Sequence, residues 1–104
     1  MTYLEELRDV IRRLHSADAA HVESVPVKEV FRGETVWEGV VEVFDLHGHP
    51  TASRVYAWAH DTDDPANPRR HVTVLQTHPI KSAQDAVRAA IVQEFRNLGT
   101  AEES

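Results

Sequence analysis

The stretch Arg54–His60 alternates small and ring-bearing side chains, and this alternation restricts the fold more than any other feature of the chain. Successive side chains of a strand point to opposite faces of the sheet. One face of such a strand carries Val55, Ala57 and Ala59, and the other carries Tyr56, Trp58 and His60. The small face suits a closely packed helix. The aromatic face is too apolar to stay in water without a partner.

An amphipathic helix is predicted at the start of the chain. Thr2 and Glu5 have the spacing of a capping box, in which each side chain binds the free backbone N–H of the other residue. The helix is expected to run to about His15. Its apolar residues recur at intervals of three and four, which places them in one stripe. This stripe consists of Leu4, Leu7, Ile11 and Leu14.

A second amphipathic helix is predicted near the end of the chain, after Pro79. Ser82 and Asp85 form its N-terminal capping signature, and Gly99 suits the left-handed C-terminal cap. Alanines beside the stripe would let this helix approach another backbone closely. The stripe consists of Val87, Ile91, Phe95 and Leu98. Residues 100–104 are then a frayed polar tail, and residues 1–99 form one domain.

The region between the helices predicts three or four strands. The clearest strands cover residues 36–46, 51–60 and 69–77. The first is apolar on both parities, which indicates either a bulge at Gly39 or a central strand covered on both faces. Residues 21–31 have two interpretations. Their valines favour a strand, which Pro26 would restrict to a sheet edge or a bulge. The alternative is a short helix, and we prefer the edge strand.

These elements predict an α+β fold, a two-layer sandwich with an antiparallel three- or four-stranded sheet. Short connections make neighbouring strands antiparallel. Each helix has a single apolar stripe, so the economical arrangement places both helices on one face of the sheet. The other face, with its aromatic side chains, is left for solvent or for a partner.

Composition narrows the possible functions. The sequence has 17 acidic and 11 basic residues, and its net charge of −6 makes nucleic acid an unfavourable partner. It contains no cysteine, which excludes disulfides and thiolate metal sites and fits a cytoplasmic protein. No apolar run approaches the roughly 18 residues of a membrane span. We therefore expect a soluble protein with no membrane partner and no cofactor.

The element order, if residues 21–31 are not a strand, resembles that of a double-stranded RNA-binding domain. Such domains present a lysine cluster at the start of their last helix. The corresponding residues 80–85 here contain one lysine, Lys81, and one acid, Asp85. The resemblance therefore concerns element order only, and no RNA-binding residue is transferred.

Histidines and acids suggest two further possibilities. His47 and His49 lie in a predicted turn, which we expect to be an exposed connection without a structural metal. A polar cluster of His60, Asp61 and His71 could support acid–base chemistry or, with nearby acids, a metal. No nucleophile elbow, phosphate loop or zinc-protease motif is present. We predict no metal, and a small enzyme with this cluster at a subunit interface remains the alternative function.

Aromatic residues give the main functional hypothesis. Tyrosine and tryptophan are enriched at protein interfaces because they combine an apolar body with a polar tip. The aromatic face of the strand would display Tyr56 and Trp58, with Trp37 and Thr73 as neighbours. We therefore expect a small interaction or binding module, most simply a homodimer formed through an aromatic sheet face.

Overall fold

The fold is α+β, with a four-stranded antiparallel sheet and a helix at each end of the chain. The computed structural model describes residues 2–66 and 68–103, with side chains described as far as Glu94. Strands follow one another across the sheet in the order β1-β2-β3-β4. The elements are α1 (Tyr3–His15), β1 (Asp18–Phe31), β2 (Glu34–His47), β3 (Arg54–Asp61), β4 (Arg69–Leu75) and α2 (Ala83–Glu103). The predicted fold class is confirmed.

The ambiguous segment forms an edge strand, as predicted. β1 begins at Asp18, earlier than expected, and is 14 residues long. It pairs along its length with β2, so the helical alternative for residues 21–31 is wrong. Register shifts occur between His21 and Glu23 and between Glu29 and Val30. The bulges therefore lie in these places and not at Gly39, where the ladder is regular.

The N-terminal caps of both helices form as the sequence predicts. The backbone N–H of Glu5 donates to Thr2 Oγ1 and the N–H of Thr2 donates to Glu5 Oε2, each at 3.2 Å. At α2, the N–H of Asp85 donates to Ser82 Oγ at 3.2 Å. The predicted C-terminal cap at Gly99 is wrong, because α2 continues through Gly99 to Glu103. The predicted stripe positions Phe95 and Leu98 lie outside the described side chains.

One face of the sheet is covered by α1. Leu7 and Ile11 are fully buried against the small side chains of β3 and against Phe44 of β2. The residues of β3 that face α1 are Val55, Ala57 and Ala59. Small side chains let the helix approach the strand closely, as the alternation predicts.

The opposite face is covered by α2. Ala86 and Val87 are fully buried in a second cluster with Val43 of β2 and with Tyr56 and Trp58 of β3. The prediction that both helices share one face is therefore wrong. That prediction assumed that one face of the sheet could remain without a helix. β2 and β3 are apolar on both faces, however, and each face needs a helix to cover it. The molecule has three layers, helix, sheet and helix.

The sheet divides between its two central strands. The β2–β3 ladder joins only residues 42–45 to residues 54–57, whereas β1 and β2 pair almost throughout. Residues 34–41 of β2 and 58–61 of β3 are therefore unpaired with each other. Two-stranded ribbons twist more strongly than wider sheets, which separates the end of the β1–β2 hairpin from β3. We call residues 26–40 of this hairpin the overhang.

Truncation of Ile11 is expected to destabilise the protein strongly. Ile11 is fully buried, whereas Leu14, which the sequence places in the same stripe, is 63% exposed and Val10 takes its place in the core. Ile11→Ala should lower the free energy of unfolding by about 2–5 kcal/mol, as measured by urea denaturation. Leu14→Ala, the control, should change it by less than about 0.5 kcal/mol. Equal losses in the two variants would contradict the packing of α1.

Candidate functional site

The predicted aromatic interface is covered by the protein itself. Tyr56 is 3% exposed and Trp58 4% exposed, both beneath α2. Trp37 joins them on this face, with its ring centroid 5.5 Å from that of Trp58 and the two planes at 66°. The structure thus brings three of the four predicted interface residues together. Tyr56 and Trp58 are buried and Trp37 is partly buried, because α2 packs on the face that was expected to stay open.

Tyr56 is positioned as a core residue with one satisfied polar atom. Its hydroxyl accepts a hydrogen bond from Gln76 Nε2 at 3.1 Å. Burial raises the pKa of Tyr56 above its usual value. The phenol therefore stays neutral and serves packing.

Thr73, the fourth predicted interface residue, lies on the other face. It pairs with Ala57 in the β3–β4 ladder, so its side chain points towards α1. There, Thr73 Oγ1 lies 2.8 Å from His15 Nε2. The β4 residues opposite Tyr56 and Trp58 are Val74 and Val72. The residue of β4 that neighbours the aromatic side chains is therefore one position away from Thr73, which the sequence pattern did not reveal.

The predicted polar cluster is divided between the two faces of the sheet. Asp61 and His71 lie on the α1 side, joined through Arg69 and Glu6. Arg69 Nη1 is 3.4 Å from Asp61 Oδ1, and Glu6 Oε2 accepts from Arg69 Nε at 2.5 Å and lies 2.6 Å from His71 Nε2. The hydrogen bonds of Arg69 and then of His71 lower the pKa of Glu6. His60 has the opposite parity and is separate from this network, so the three residues do not form one acid–base site.

The histidines of the β2–β3 connection have different roles. His47 is exposed, whereas His49 Nδ1 accepts the backbone N–H of Thr51 at 3.2 Å and that of Ala52 at 2.9 Å. His49 therefore organises the loop by its own hydrogen bonds. Among residues 2–66 and 68–103, no three His, Asp or Glu side chains are grouped so that they could hold a metal ion.

Glu42 on β2 is a buried carboxylate that the sequence analysis did not single out. Glu42 is 7% exposed, and burial of an acid requires partners. His21 Nε2 lies 3.0 Å from Glu42 Oε1, and the Ser24 hydroxyl donates to the same oxygen. Both partners belong to β1, so Glu42 joins the edge strand to the centre of the sheet. The signal available in the sequence was an acid within the apolar run 40–44.

The division of the sheet creates a cavity beneath α2. It has a volume of about 300 Å³ and lies where β2 and β3 separate. The indole of Trp37 folds over Gly39, where a Cβ atom would meet the ring at 3.1 Å. The lining residues are Trp37, Trp58, His60, Val72, Val87, Ala90, Ile91 and Glu94.

Most of the exposed large apolar side chains among the described residues lie around the overhang, Leu14 and Val22 being the exceptions. Phe31 is 62% exposed, Val36 46% and Val92 48%, and with Ile91 they line a groove of about 440 Å³ between the overhang and α2. We call these four residues the hairpin-end patch. On the other side of the overhang, Val30 and Val40 are also exposed. Sequence reasoning missed the patch because it depends on β1 and β2 extending past β3.

Comparison of the chain with protein-family models, with curated proteins and with solved structures gave no match. Among the helices of the described residues, none is both long and apolar enough to cross a bilayer. The surfaces described above therefore carry the functional interpretation.

The stability of the protein is expected to fall at mildly acidic pH through His15. Burial, and then the neighbouring His49 ring, lower the pKa of His15 below its ordinary value. The folded state therefore favours the neutral ring. Its stabilising effect is present above the unfolded pKa of about 6.5 and is lost as the pH falls towards the folded pKa.

Urea denaturation at pH 7.5, 6.5 and 5.5 measures this effect. His15→Gln should reduce the loss of unfolding free energy between pH 7.5 and 5.5. His47→Gln, at an exposed histidine, should keep the wild-type dependence. A His15→Gln profile parallel to that of the wild type would show that His15 does not contribute.

Removal of the His49 ring should weaken the β2–β3 connection. His49→Ala leaves two backbone N–H groups without their acceptor, and we expect a loss of about 1–2 kcal/mol in unfolding free energy. His47→Ala should cost less than about 0.5 kcal/mol. Chemical denaturation of both variants compares them directly, and a neutral His49→Ala would refute the loop-organising role.

Proposed function

We propose that the protein is a small protein-interaction module that self-associates through the hairpin-end patch. The observation that carries the proposal is the exposure of Phe31, Val36 and Val92 beside one another in a groove. Contiguous exposed apolar surface rimmed by polar groups is typical of interaction sites. The homodimer predicted from the aromatic residues thus becomes a dimer formed through a different surface.

The charges around the patch favour a second copy of the chain as its partner. Two bases, Arg88 in the groove lining and Arg32 against the Phe31 ring, are balanced here by two acids. Glu29 lines the groove, and Glu34 is the ladder partner of Phe31. The patch is therefore locally neutral, although the whole chain has a net charge of −6. Two copies can approach here without the repulsion that the rest of the surface would produce. Under two-fold symmetry, acids and bases of one rim can face their opposites on the other.

Ion pairs at the rim hold part of the patch in place. Arg88 Nε is 2.8 Å from Glu29 Oε1, and Gln84 donates to the other oxygen of the same carboxylate. The Arg32 guanidinium carbon lies 5.2 Å from the centre of the Phe31 ring. Salt contacts between α2 and β1 thus fix the two walls of the groove relative to each other. A preformed groove lowers the entropy cost of binding.

Strand addition at the sheet edge is a less suitable mode of association. Pro26 lies within β1, one of the two edge strands, and cannot donate a ladder hydrogen bond there. Lys28 and the extra residue Val22, at the first register shift, also interrupt this edge, and such features are common where proteins avoid edge-to-edge pairing. Side-chain packing at the patch is therefore the proposed mode.

Composition supports a compartment for the protein and disfavours one class of partner. We propose a cytoplasmic protein, which the absence of cysteine supports. Excess acid disfavours a nucleic-acid partner.

Phe31→Ser is expected to weaken self-association without unfolding the protein. Truncating an aromatic residue at the centre of an interface costs about 1.4 kcal/mol or more, which is tenfold or more in the dimer Kd. Leu14→Ser is the matched control, because Leu14 on α1 is 63% exposed and remote from the patch. Sedimentation equilibrium of the wild type and both variants measures the effect.

Two results would contradict the proposal. One is a wild type that stays monomeric at several hundred micromolar. The other is a Leu14→Ser variant that loses association as much as Phe31→Ser does. Urea denaturation of each variant shows that it is folded.

A further inference from the structure

Both tryptophans of the chain line the same cavity. Trp37 and Trp58 form its sheet side, and Val87, Ala90 and Ile91 of α2 form its opposite wall. Its volume of about 300 Å³ is at the lower end of the range for small-molecule sites, so it suits a compact ligand. Its walls are mostly apolar, which favours a ligand with an apolar body.

The polar groups of the cavity are hydrogen-bond acceptors. Glu94 contributes a carboxylate. His60 Nδ1 lies 3.3 Å from the backbone carbonyl oxygen of Asp61, and because a carbonyl only accepts, this contact places the proton on Nδ1. With the proton on Nδ1, the Nε2 atom can accept a hydrogen bond from a ligand. A ligand that fits these groups must supply donors.

The geometry points to a binding site for a compact aromatic or aliphatic amine. Its apolar body would lie between the indoles and α2, and its ammonium group would donate to Glu94 and His60. Indole faces attract cations, which adds to the preference for a positive charge. A net charge of −6 further raises the local concentration of cations. This inference is independent of self-association through the hairpin-end patch.

Arg70 is expected to limit the affinity of the proposed site for an amine. Its Nη1 atom lies 2.6 Å from Glu94 Oε1, with both side chains about half exposed. The ion pair partly neutralises the carboxylate that would receive the ammonium group. Removing the guanidinium charge should therefore strengthen amine binding. A purely apolar cavity would show no such gain.

The test uses three probes of similar shape and different charge: 2-phenylethylamine, 2-phenylethanol and phenylacetate. Tryptophan fluorescence reports binding directly, since both tryptophans line the cavity. We expect a saturable response in which the amine binds about threefold or more tighter than the alcohol, as for one partly exposed charge pair. Phenylacetate should bind weakest.

Charge variants test the polar end. Glu94→Gln should remove the advantage of the amine over the alcohol, and Arg70→Gln should increase it. Phenylacetate binding equal to or tighter than that of the amine would overturn the assignment. An unchanged preference in Glu94→Gln would overturn it as well.

Filling the cavity tests the location. Ala90→Leu places a larger side chain in the cavity wall and should abolish the response to all three probes. Ala89→Leu, on the same helix but outside this cavity, should bind as the wild type does, and denaturation curves confirm that both variants are folded. A wild-type response that stays linear to tens of millimolar, or an Ala90→Leu variant that still binds, would refute the site.

Discussion

β3 has apolar side chains on both faces, and neither face can remain in water. Burial of a large apolar side chain contributes about 1.5–3 kcal/mol, and the two faces together bury Val55, Ala57, Tyr56 and Trp58. Small residues on one face accept α1 at close range. Large rings on the other face pack beneath α2. The chain can meet both demands because its two helices come from opposite ends and neither has to share a face.

Covering both faces near β3 leaves the rest of the β1–β2 hairpin beyond the main core. These two strands have 14 residues each, against 8 in β3 and 7 in β4, so their shared end extends past the centre of the sheet. This difference in length produces both candidate surfaces. Where β2 leaves β3, the tryptophan-lined cavity forms beneath α2. Where the overhang meets the outer side of α2, Phe31 and Val36 remain in water.

The sequence predicted what depends on local pattern. Helix caps at Thr2 and Ser82, the alternation of β3 and the edge position of the segment containing Pro26 follow from residue chemistry, and all are present. The layer arrangement was predicted wrongly, since a single stripe on each helix does not say which face it covers and the two-sided apolar pattern of β2 and β3 was given too little weight. Whether Trp58 is buried depends on which face α2 covers. Because α2 covers the aromatic face, Trp58 is not available for the predicted aromatic interface. Predicting the hairpin-end patch would have required the start and end of all four strands, and local sequence pattern defines strand ends poorly.

Methyl and aromatic NOEs in solution test most directly whether the helices cover opposite faces. Opposite-face packing predicts NOEs from the Val87 methyls to the rings of Tyr56 and Trp58, and from the Ile11 methyls to Val55 and Ala57. NOEs from the Val87 methyls to Val55 or Ala57, with the Trp58 ring in contact with solvent, would contradict it. That result would return the aromatic face to the surface and remove the basis for the cavity beneath α2.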